Sequence, residues 1–167
     1  MPRLGVVSVT PELFADFGQL IAAEGRAHYA INDGTAERYH DLADIDVAEA
    51  GGRPSVSLVR AQPRALPLRL TMVERHPLGS QAFIPLSKSP FLVVVASCEG
   101  APMPGDLRAF AVGDGTGVNF AKGIWHHPLL ALDRVSDFLV IDRAGPGENC
   151  EECRLREDVL LDWPERA

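Results

Sequence analysis

The sequence predicts a mainly β-structured protein, an all-β sandwich or barrel with one or two short helices. Glycine and proline contribute 15 and 13 of the 167 residues, and they are spread along the chain, so they divide it into many short elements. Between these breaks, apolar residues alternate with polar ones or form short apolar runs, as they do in half-buried and fully buried strands. The length, without an internal repeat or a linker, predicts a single domain over residues 1–167.

The first predicted element is a short helix over residues 11–17. Thr10 can act as the N-cap, and Pro11 stands at the first helical position, where its missing N–H costs nothing. Val9 can pack against Phe14 across the start of the helix, and Gly18 ends it.

Most of the remaining elements are predicted to be strands, and the run FLVVVA is predicted to be buried on both faces. The predicted strands cover residues 43–47, 55–58, 66–72, 91–96, 107–112 and 138–142. Turn signals at residues 32–34, 51–52 and 113–115 separate them. From about Gly145 the chain is polar, and we interpret this stretch as a tail that packs on the outside.

The charge of the chain argues against a nucleic-acid partner. There are 23 acidic and 16 basic residues, a net charge of −7, and the sequence pI is about 5.2; a nucleic-acid-binding domain would show a basic patch or a high pI. An acidic surface also disfavours an anionic membrane, and no apolar run approaches the ~20 residues of a membrane span. The N-terminus lacks a signal-peptide pattern, and the three cysteines, an odd number, suit a reducing compartment, so we expect a cytoplasmic protein.

The most informative segment is residues 66–85, where polar groups follow an apolar face. If Leu68, Leu70 and Met72 face the core, alternation directs Glu74 and His76 to the same side. A carboxylate and an imidazole on an apolar face are costly unless they are paired or bind something. Two interpretations stay open: a strand end where both groups reach solvent, or a functional site.

The spacing of these residues resembles the two motifs of cupin barrels. Glu74-x-His76-x4-Gln81 has the spacing of the first motif, usually His-x-His-x4-Glu, and Gly123 precedes His126 as in the Gly-x-x-His of the second. Glu74, His76, Gln81 and His126 would offer imidazole and oxygen ligands to a divalent metal such as Ni, Mn or Zn. Because an amide is a weak ligand, a metal-bound and a metal-free site both stay open. No organic cofactor is expected.

At a more specific level, the sequence resembles the ureidoglycolate lyase family. The matching stretches are INDGTAERYHDL (31–42), ERHPLGSQAFIPL (74–86), GVNFAKGIWHHPLLAL (117–132) and DFLVIDRAG (137–145). The resemblance implies a cupin-like antiparallel β-barrel (jelly roll), a homodimer, and cleavage of (S)-ureidoglycolate to glyoxylate and urea. This reaction is a step of allantoin breakdown, by which purine nitrogen is recovered.

The implied reaction needs a base, an acid and a cation for the substrate carboxylate. The expected catalytic residues are Glu74, His76 and His126, with acid and base unassigned. His127, one residue further along a strand, is expected to face the other side. The candidate substrate-binding residues are Arg60, Arg143, Lys122, Asn32 and Tyr39.

Each of these candidates also has a purely structural interpretation. Arg60 continues the face of Val56 and Leu58 and is favoured if that face is internal, whereas any of these cations can be a surface charge. Arg75 is disfavoured because alternation places it opposite Glu74. Cys150 and Cys153, a single Cys-x-x-Cys pair, are interpreted as exposed thiols because no second pair completes a zinc site.

Two other functions are compatible with the same residues. One is a different cupin enzyme, a metal-dependent oxygenase or isomerase. The other is a non-catalytic cupin that binds a small molecule. Release of urea from (S)-ureidoglycolate distinguishes both from the lyase.

Overall fold

A computed structural model describes residues 1–163 as a β-rich chain with one four-residue α-helix, α1 (Pro11–Phe14). Residues 164–167, the end of the predicted 1–167 domain, lie outside the described residues. The strands are β1 (Arg3–Ser8), β2 (Gly18–Ile21), β3 (His28–Ile31), β4 (Ala36–Tyr39), β5 (Arg53–Ala61), β6 (Leu68–Arg75), β7 (Gln81–Pro85), β8 (Phe91–Ala96), β9 (Arg108–Val112), β10 (Gly117–Phe120), β11 (Trp125–His126), β12 (Leu130–Ala131), β13 (Ser136–Ala144) and β14 (Glu151–Asp162).

Six of these strands close into a barrel, in the order β6, β14, β1, β9, β8 and β11, with β11 pairing back to β6. The prediction of a mainly-β barrel with little helix is confirmed, and the architecture is consistent with a cupin-like barrel. The pairing is mixed, because β1 runs parallel to both β14 and β9. Parallel pairs need long connections, and these three strands are far apart in the sequence.

A second sheet packs against one side of the barrel. It contains five strands in the order β2, β10, β7, β13 and β5, and all its pairs are antiparallel. One apolar cluster fills the barrel, and a second cluster lies between the barrel and this sheet. Strand β8 belongs to both: Val93 and Val95 face the sheet, whereas Leu92 and Val94 face the barrel interior. Its predicted burial on both faces is therefore confirmed.

The N-terminal helix is present but shorter than predicted. Thr10 caps it, since its Oγ1 accepts a hydrogen bond from the Leu13 amide at 3.2 Å. Phe14, at the end of α1, is fully buried in the cluster between barrel and sheet. Gly18 opens β2 at φ +144°, where a Cβ would overlap the Asn119 carbonyl. In residues 1–163 no helix is long and apolar enough to cross a membrane.

The strand predicted at 43–47 is wrong, because this segment is a loop. Its alternation of acidic and apolar residues resembles that of a half-buried strand. Its backbone, however, hydrogen-bonds to side chains and to the Ser80 amide instead of to a neighbouring strand. The Asp44 amide donates to the Gln19 side chain at 3.2 Å, and the Asp46 amide donates to Ser80 Oγ at 2.9 Å. Val47 is buried by the same packing.

The predicted outer tail after Gly145 is also wrong, because its larger part is β14, a twelve-residue strand of the barrel wall. Leu155, Val159 and Leu161 point into the barrel interior. A bulge between Arg154 and Val159 interrupts the alternation, which explains why the sequence pattern did not reveal the strand.

Candidate active site

The candidate site lies between the barrel and the five-stranded sheet. His126 of β11 is the register partner of Glu74 on β6 and of Val95 on β8, so the three side chains stand side by side on one face. Val95 belongs to the cluster that faces the sheet. Glu74 and His126 therefore point out of the barrel wall and toward the second sheet.

His126 is the most buried polar group of the site, at 2% exposure. Its ring stacks on Phe120 with 4.6 Å between the centroids and an interplanar angle of 19°. Nδ1 lies 3.0 Å from the Ile124 carbonyl, which only accepts, so Nδ1 carries a proton. Nε2 then faces Glu74 Oε1 at 3.6 Å and has no hydrogen-bond partner among the described residues.

Glu74 is held in its charged form. The interaction with the His126 ring across 3.6 Å lowers the pKa of Glu74 below its usual range, and partial burial opposes this effect. Smaller electrostatic contributions from the nearby His76 and His127 act in the same direction. The pair is thus a carboxylate beside a buried imidazole with a free nitrogen, an arrangement suited to general acid–base chemistry.

His76 lies just after β6, and both of its ring nitrogens contact acceptors. Nδ1 donates to the Asn149 carbonyl at 2.7 Å, and Nε2 lies 3.1 Å from Gln81 Oε1. The Gln81 amide nitrogen in turn donates to Asp142 Oδ2 at 3.2 Å. The His76 and His126 rings are 5.1 Å apart between centroids, so the two predicted histidines share one cleft.

A tight turn connects these two histidines. The Gly123 amide donates to the His76 carbonyl at 2.9 Å, and Gly123 has φ +81°, a conformation that favours glycine. The next residue, Ile124, supplies the carbonyl that fixes the His126 ring. The predicted Gly-x-x-His spacing therefore corresponds to a turn that positions the His126 ring.

Glu74 was predicted to lie on the same face of its strand as Leu68 and Leu70, but the alternation of side chains between the two faces is not continuous along β6. Leu68 and Leu70 pack in the barrel interior, but so does Val73, so the phase changes between Leu70 and Val73. Glu74 consequently points away from the face of Leu70. It reaches the side of His126 because the two residues are register partners.

Three of the four proposed metal ligands have the spacing that a divalent ion needs, and His76 Nε2 would bind the ion in place of its contact with Gln81. The ligand atoms of Glu74, His76 and His126 lie within 4.8 Å of one another, and two imidazoles with one carboxylate suit a first-row metal. The unpartnered, buried Nε2 of His126 is the atom that would bind. Gln81 does not fit as a ligand, because its oxygen contacts His76 and its nitrogen contacts Asp142. When bound at the three residues, the ion would act as a Lewis acid toward an oxygen of the substrate.

Among the predicted substrate-binding cations, Lys122 is the one closest in sequence to a residue of the site, because it directly precedes Gly123. Its Nζ pairs with Glu49 at 2.7 Å and with Asp46 at 3.3 Å, and these carboxylates, Glu49 first, raise the pKa of the lysine. Lys122 is therefore paired with two acidic side chains, and it is connected to the site through the neighbouring Gly123, whose amide donates to the His76 carbonyl.

The other two predicted cations do not reach the cleft. Arg60 is on the exposed face of β5 and pairs with Asp137 at 2.8 Å. Asp137 is five residues from Asp142, the residue of β13 that contacts Gln81 at the cleft. At ~3.3 Å per residue this separation is ~17 Å, so Arg60 is far from the cleft. The face of Val56 and Leu58 that favoured Arg60 is external, since these side chains are 66% and 68% exposed.

Arg143 is buried, and its guanidinium binds backbone carbonyls. It donates to the carbonyls of Glu49, Ala50 and Pro146 at 2.8–3.3 Å. It alternates with Asp142 on β13 and so lies on the opposite face of the sheet. This side chain stabilises the loop around Glu49 and is not available to a substrate.

Asn32 and Tyr39 belong to an exposed hairpin that pairs with no other strand of residues 1–163. Asn32 is in its turn, with φ +53°. Tyr39 packs against His28, with ring centroids 4.9 Å apart, and its hydroxyl donates to Glu37 at 3.4 Å. Within this chain, neither residue joins the cluster around Glu74.

The expected positions of His127 and Arg75 agree with the structure. His127 Nδ1 contacts the carbonyl of Pro128 at 2.8 Å, and His127 is not part of the imidazole–carboxylate cluster. The Arg75 guanidinium lies 4.4 Å from the Trp125 ring centroid, on the barrel-interior side, and pairs with Glu151 at 2.7 Å.

Sequence reasoning missed several groups that complete the site. Phe120 and Asp142 occur in segments that the resemblance covers, but nothing in their spacing marked them. Asn149, Cys150 and Glu152 were assigned to the tail, yet the Cys150 thiol and the Glu152 carboxylate lie within 4.8 Å of the Glu74 carboxylate. All three cysteines are free, and Cys150 is exposed, as expected. The expectation is wrong for Cys153, which is part of β14 and packs, half-buried, against the apolar cluster inside the barrel.

The fold and the cluster define a mainly-β barrel protein with two imidazoles and a carboxylate in a cleft. A sequence model of the family described as ureidoglycolate lyase matches residues 1–162. The chain is similar to the ureidoglycolate lyase of Burkholderia cepacia, with 56% identity over 154 residues, which cover 92% of this chain and 87% of that protein.

Two further relatives carry the same name. The ureidoglycolate lyase of Burkholderia mallei is 52% identical over 161 residues, 96% of this chain and 94% of that protein. That of Pseudomonas paraeruginosa is 47% identical over 164 residues, 97% of each chain. The chain belongs to the ureidoglycolate lyase family, a family of enzymes, and the resemblance inferred from the sequence is confirmed.

Proposed function

We propose that this enzyme cleaves (S)-ureidoglycolate to glyoxylate and urea in the breakdown of allantoin. The observation that carries the proposal is the free, buried Nε2 of His126 beside the Glu74 carboxylate, at 3.6 Å. Membership of the family gives the substrate, and the cleft supplies the acid–base groups that its chemistry needs.

The reaction is the collapse of a carbinolamide. The substrate carbon carries a hydroxyl, a ureido nitrogen and a carboxylate. As the hydroxyl proton leaves, a C=O double bond forms, the C–N bond breaks with its electron pair going to nitrogen, and a proton reaches that nitrogen. Each of the two proton transfers is general acid–base catalysis, typically worth ~10²–10⁴-fold.

His126 is the proposed base for the hydroxyl. Because Nδ1 donates to Ile124, the neutral ring has its lone pair on Nε2, where it can accept a proton. Glu74 stabilises the resulting imidazolium from 3.6 Å, and the stacked Phe120 ring excludes water from one side. In serine hydrolases the carboxylate stabilises the imidazolium from the other ring nitrogen, whereas Glu74 faces the nitrogen that takes the proton.

His76 is the proposed donor to the departing ureido nitrogen. Both ring nitrogens face acceptor oxygens, of Asn149 and Gln81, so the ring is arranged to donate rather than to accept. It stands beside His126, with 5.1 Å between the ring centroids, so one substrate carbon can lie between donor and base.

The proposed cation for the substrate carboxylate is Lys122. It follows β10 and directly precedes Gly123, whose amide bonds to His76. The substrate carboxylate would displace Glu49 or Asp46 from its ammonium group. Arg60 and Arg143 are not part of this proposal, because both are held elsewhere.

The direct test is a product assay with purified protein and (S)-ureidoglycolate. A lyase leaves the ureido group intact, so we expect urea and glyoxylate in equal amounts and no ammonia. Stoichiometric ammonia would indicate attack on the ureido carbonyl and would contradict the proposal. The Glu74→Gln variant is the control for contaminating activity.

We also propose that the enzyme is a homodimer. Val56 and Leu58 on the edge strand β5 are largely exposed, and Leu139 and Ile141 of β13 lie beside them on the same outer face. Exposed edge strands and aliphatic faces are usually covered in native proteins. Light scattering at micromolar concentration should give the dimer mass, and Leu58→Asp should shift it toward the monomer. A monomer mass for the unmodified protein would contradict the proposal.

A further inference from the structure

A chain of hydrogen bonds crosses from β13 to the cleft. Asp142 Oδ2 accepts from the Gln81 amide nitrogen at 3.2 Å, and Gln81 Oε1 lies 3.1 Å from His76 Nε2. We propose that Asp142 is a positioning residue, which acts through the Gln81 amide to hold the His76 ring in its orientation. This inference rests on the proposed function, in which His76 faces the departing nitrogen.

The proposal follows from the asymmetry of an amide. One end of the Gln81 side chain donates and the other accepts, and the two ends exchange by a rotation of the terminal group. An ionised carboxylate can only accept, so Asp142 fixes the donating end on its own side. The oxygen of Gln81 is thereby directed at His76, and a ring nitrogen facing it is held as a donor.

The opposite side of the ring is anchored by the backbone. His76 Nδ1 donates to the Asn149 carbonyl at 2.7 Å. Asn149 is itself fixed, because its side-chain oxygen accepts from the Leu78 amide at 2.8 Å. A ring held at both nitrogens has one preferred orientation, and the Asp142–Gln81 pair supplies one of the two restraints.

Asp142 has no competing role in the described part of the chain. No ion pair within residues 1–163 includes it, whereas Asp137 on the same strand pairs with Arg60. Ala82 and Ile141 are register partners, which brings the neighbouring side chains of Gln81 and Asp142 together on the face of β7 and β13 that looks into the cleft. The contact is therefore built by the strand pairing.

The test is a mutant cycle on urea release, with Asp142→Asn, Gln81→Met and the double variant. Asp142→Asn should lower kcat ~10–100-fold, the usual scale for a partner that orients a functional histidine, and should change KM by less than about twofold. In the Gln81→Met background, Asp142→Asn should have no further effect, because the amide that transmits it is gone. Asp137→Asn, on the same strand, is the matched control and should keep wild-type kcat.

The proposal would be overturned if Asp142→Asn lowered kcat by the same factor in the wild-type protein and in the Gln81→Met variant. It would also be overturned if Asp142→Asn had the same kcat as Asp137→Asn. Nuclear magnetic resonance of the histidine rings, assigned with His76→Gln, gives a second readout that needs no turnover. The His76 signals should move in Asp142→Asn and in Gln81→Met, but not in Asp137→Asn; unmoved signals would overturn the proposal. If the unmodified protein releases no urea, the proposed function fails, and these signals still decide whether Asp142 positions His76.

Discussion

His126 Nε2 and Glu74 Oε1 are 3.6 Å apart, and no other described group satisfies the histidine nitrogen. A buried polar atom without a partner is costly, typically ~1–3 kcal/mol, and a catalytic or ion-binding role is one explanation for such an atom in a native protein. The register of β6, β11 and β8 forces the two side chains onto one face. The strand pairing of the barrel wall therefore holds the two side chains next to each other.

The first prediction is that Glu74→Gln and His126→Ala are not additive. If the carboxylate acts by stabilising the imidazolium of His126, its removal matters only while His126 is present. Each single variant should lower kcat at least ~10²-fold, and the double variant should be close to the worse single one. Steady-state urea release measures this, and independent, multiplying losses would contradict the coupling.

The second prediction concerns the pH dependence of stability. The pKa of Glu74 is lowered in the folded state by His126, so its contribution is complete above the ordinary pKa of a glutamate, ~4.3. It is lost as the pH falls through the lower pKa of the folded protein. The free energy of unfolding in urea, measured from pH 7 to pH 3, should differ between wild type and Glu74→Gln mainly at the upper end. A constant difference over this range would contradict the prediction.

The third prediction tests the structural role of Arg143. A Cβ at Gly52 would overlap the Val47 carbonyl and the Arg143 side chain, so Gly52→Ala should displace the guanidinium from its carbonyl partners. We expect a loss of about 1–3 kcal/mol in unfolding free energy. Gly105→Ala is the control, because no atom lies within 4 Å of its Cβ position, and it should stay within about 0.5 kcal/mol. Equal losses in the two variants would show that Gly52 is not constrained in this way.

The fourth prediction concerns metal binding. Protein treated with a chelator should bind one equivalent of Ni²⁺, Mn²⁺ or Zn²⁺, with proton release, because imidazole and carboxylate ligands bind metal in their deprotonated forms. Calorimetry should detect this binding in wild type and in Gln81→Met, but not in His126→Ala. Binding that survives His126→Ala would place the ion elsewhere.

The elements that the sequence predicted well are those governed by local chemistry. The Thr10 cap and the buried strand β8 follow from residue type and spacing alone. Motif spacing groups Glu74, His76 and His126 in one predicted site, and the structure places their ligand atoms within 4.8 Å of one another.

The elements that the sequence did not predict depend on contacts between residues that are far apart in the chain. The loop at 43–47 alternates like a strand, and only its contacts with Gln19 and Ser80 distinguish it. The bulge in β14 removed the pattern that would have identified a barrel strand. Arg143 faces a cleft or a backbone loop depending on which side of the sheet is covered. The sequence around Arg143 does not indicate which side that is.

The most direct test of the proposed site compares two adjacent histidines. His126 has its free nitrogen in the cleft, whereas His127 contacts the Pro128 carbonyl outside the cluster. Urea release should fall at least ~10²-fold in His126→Ala, as it should in His76→Ala, and His127→Ala should retain most activity. Loss of urea release in a folded His127→Ala variant, with His126→Ala active, would contradict the assignment of the site.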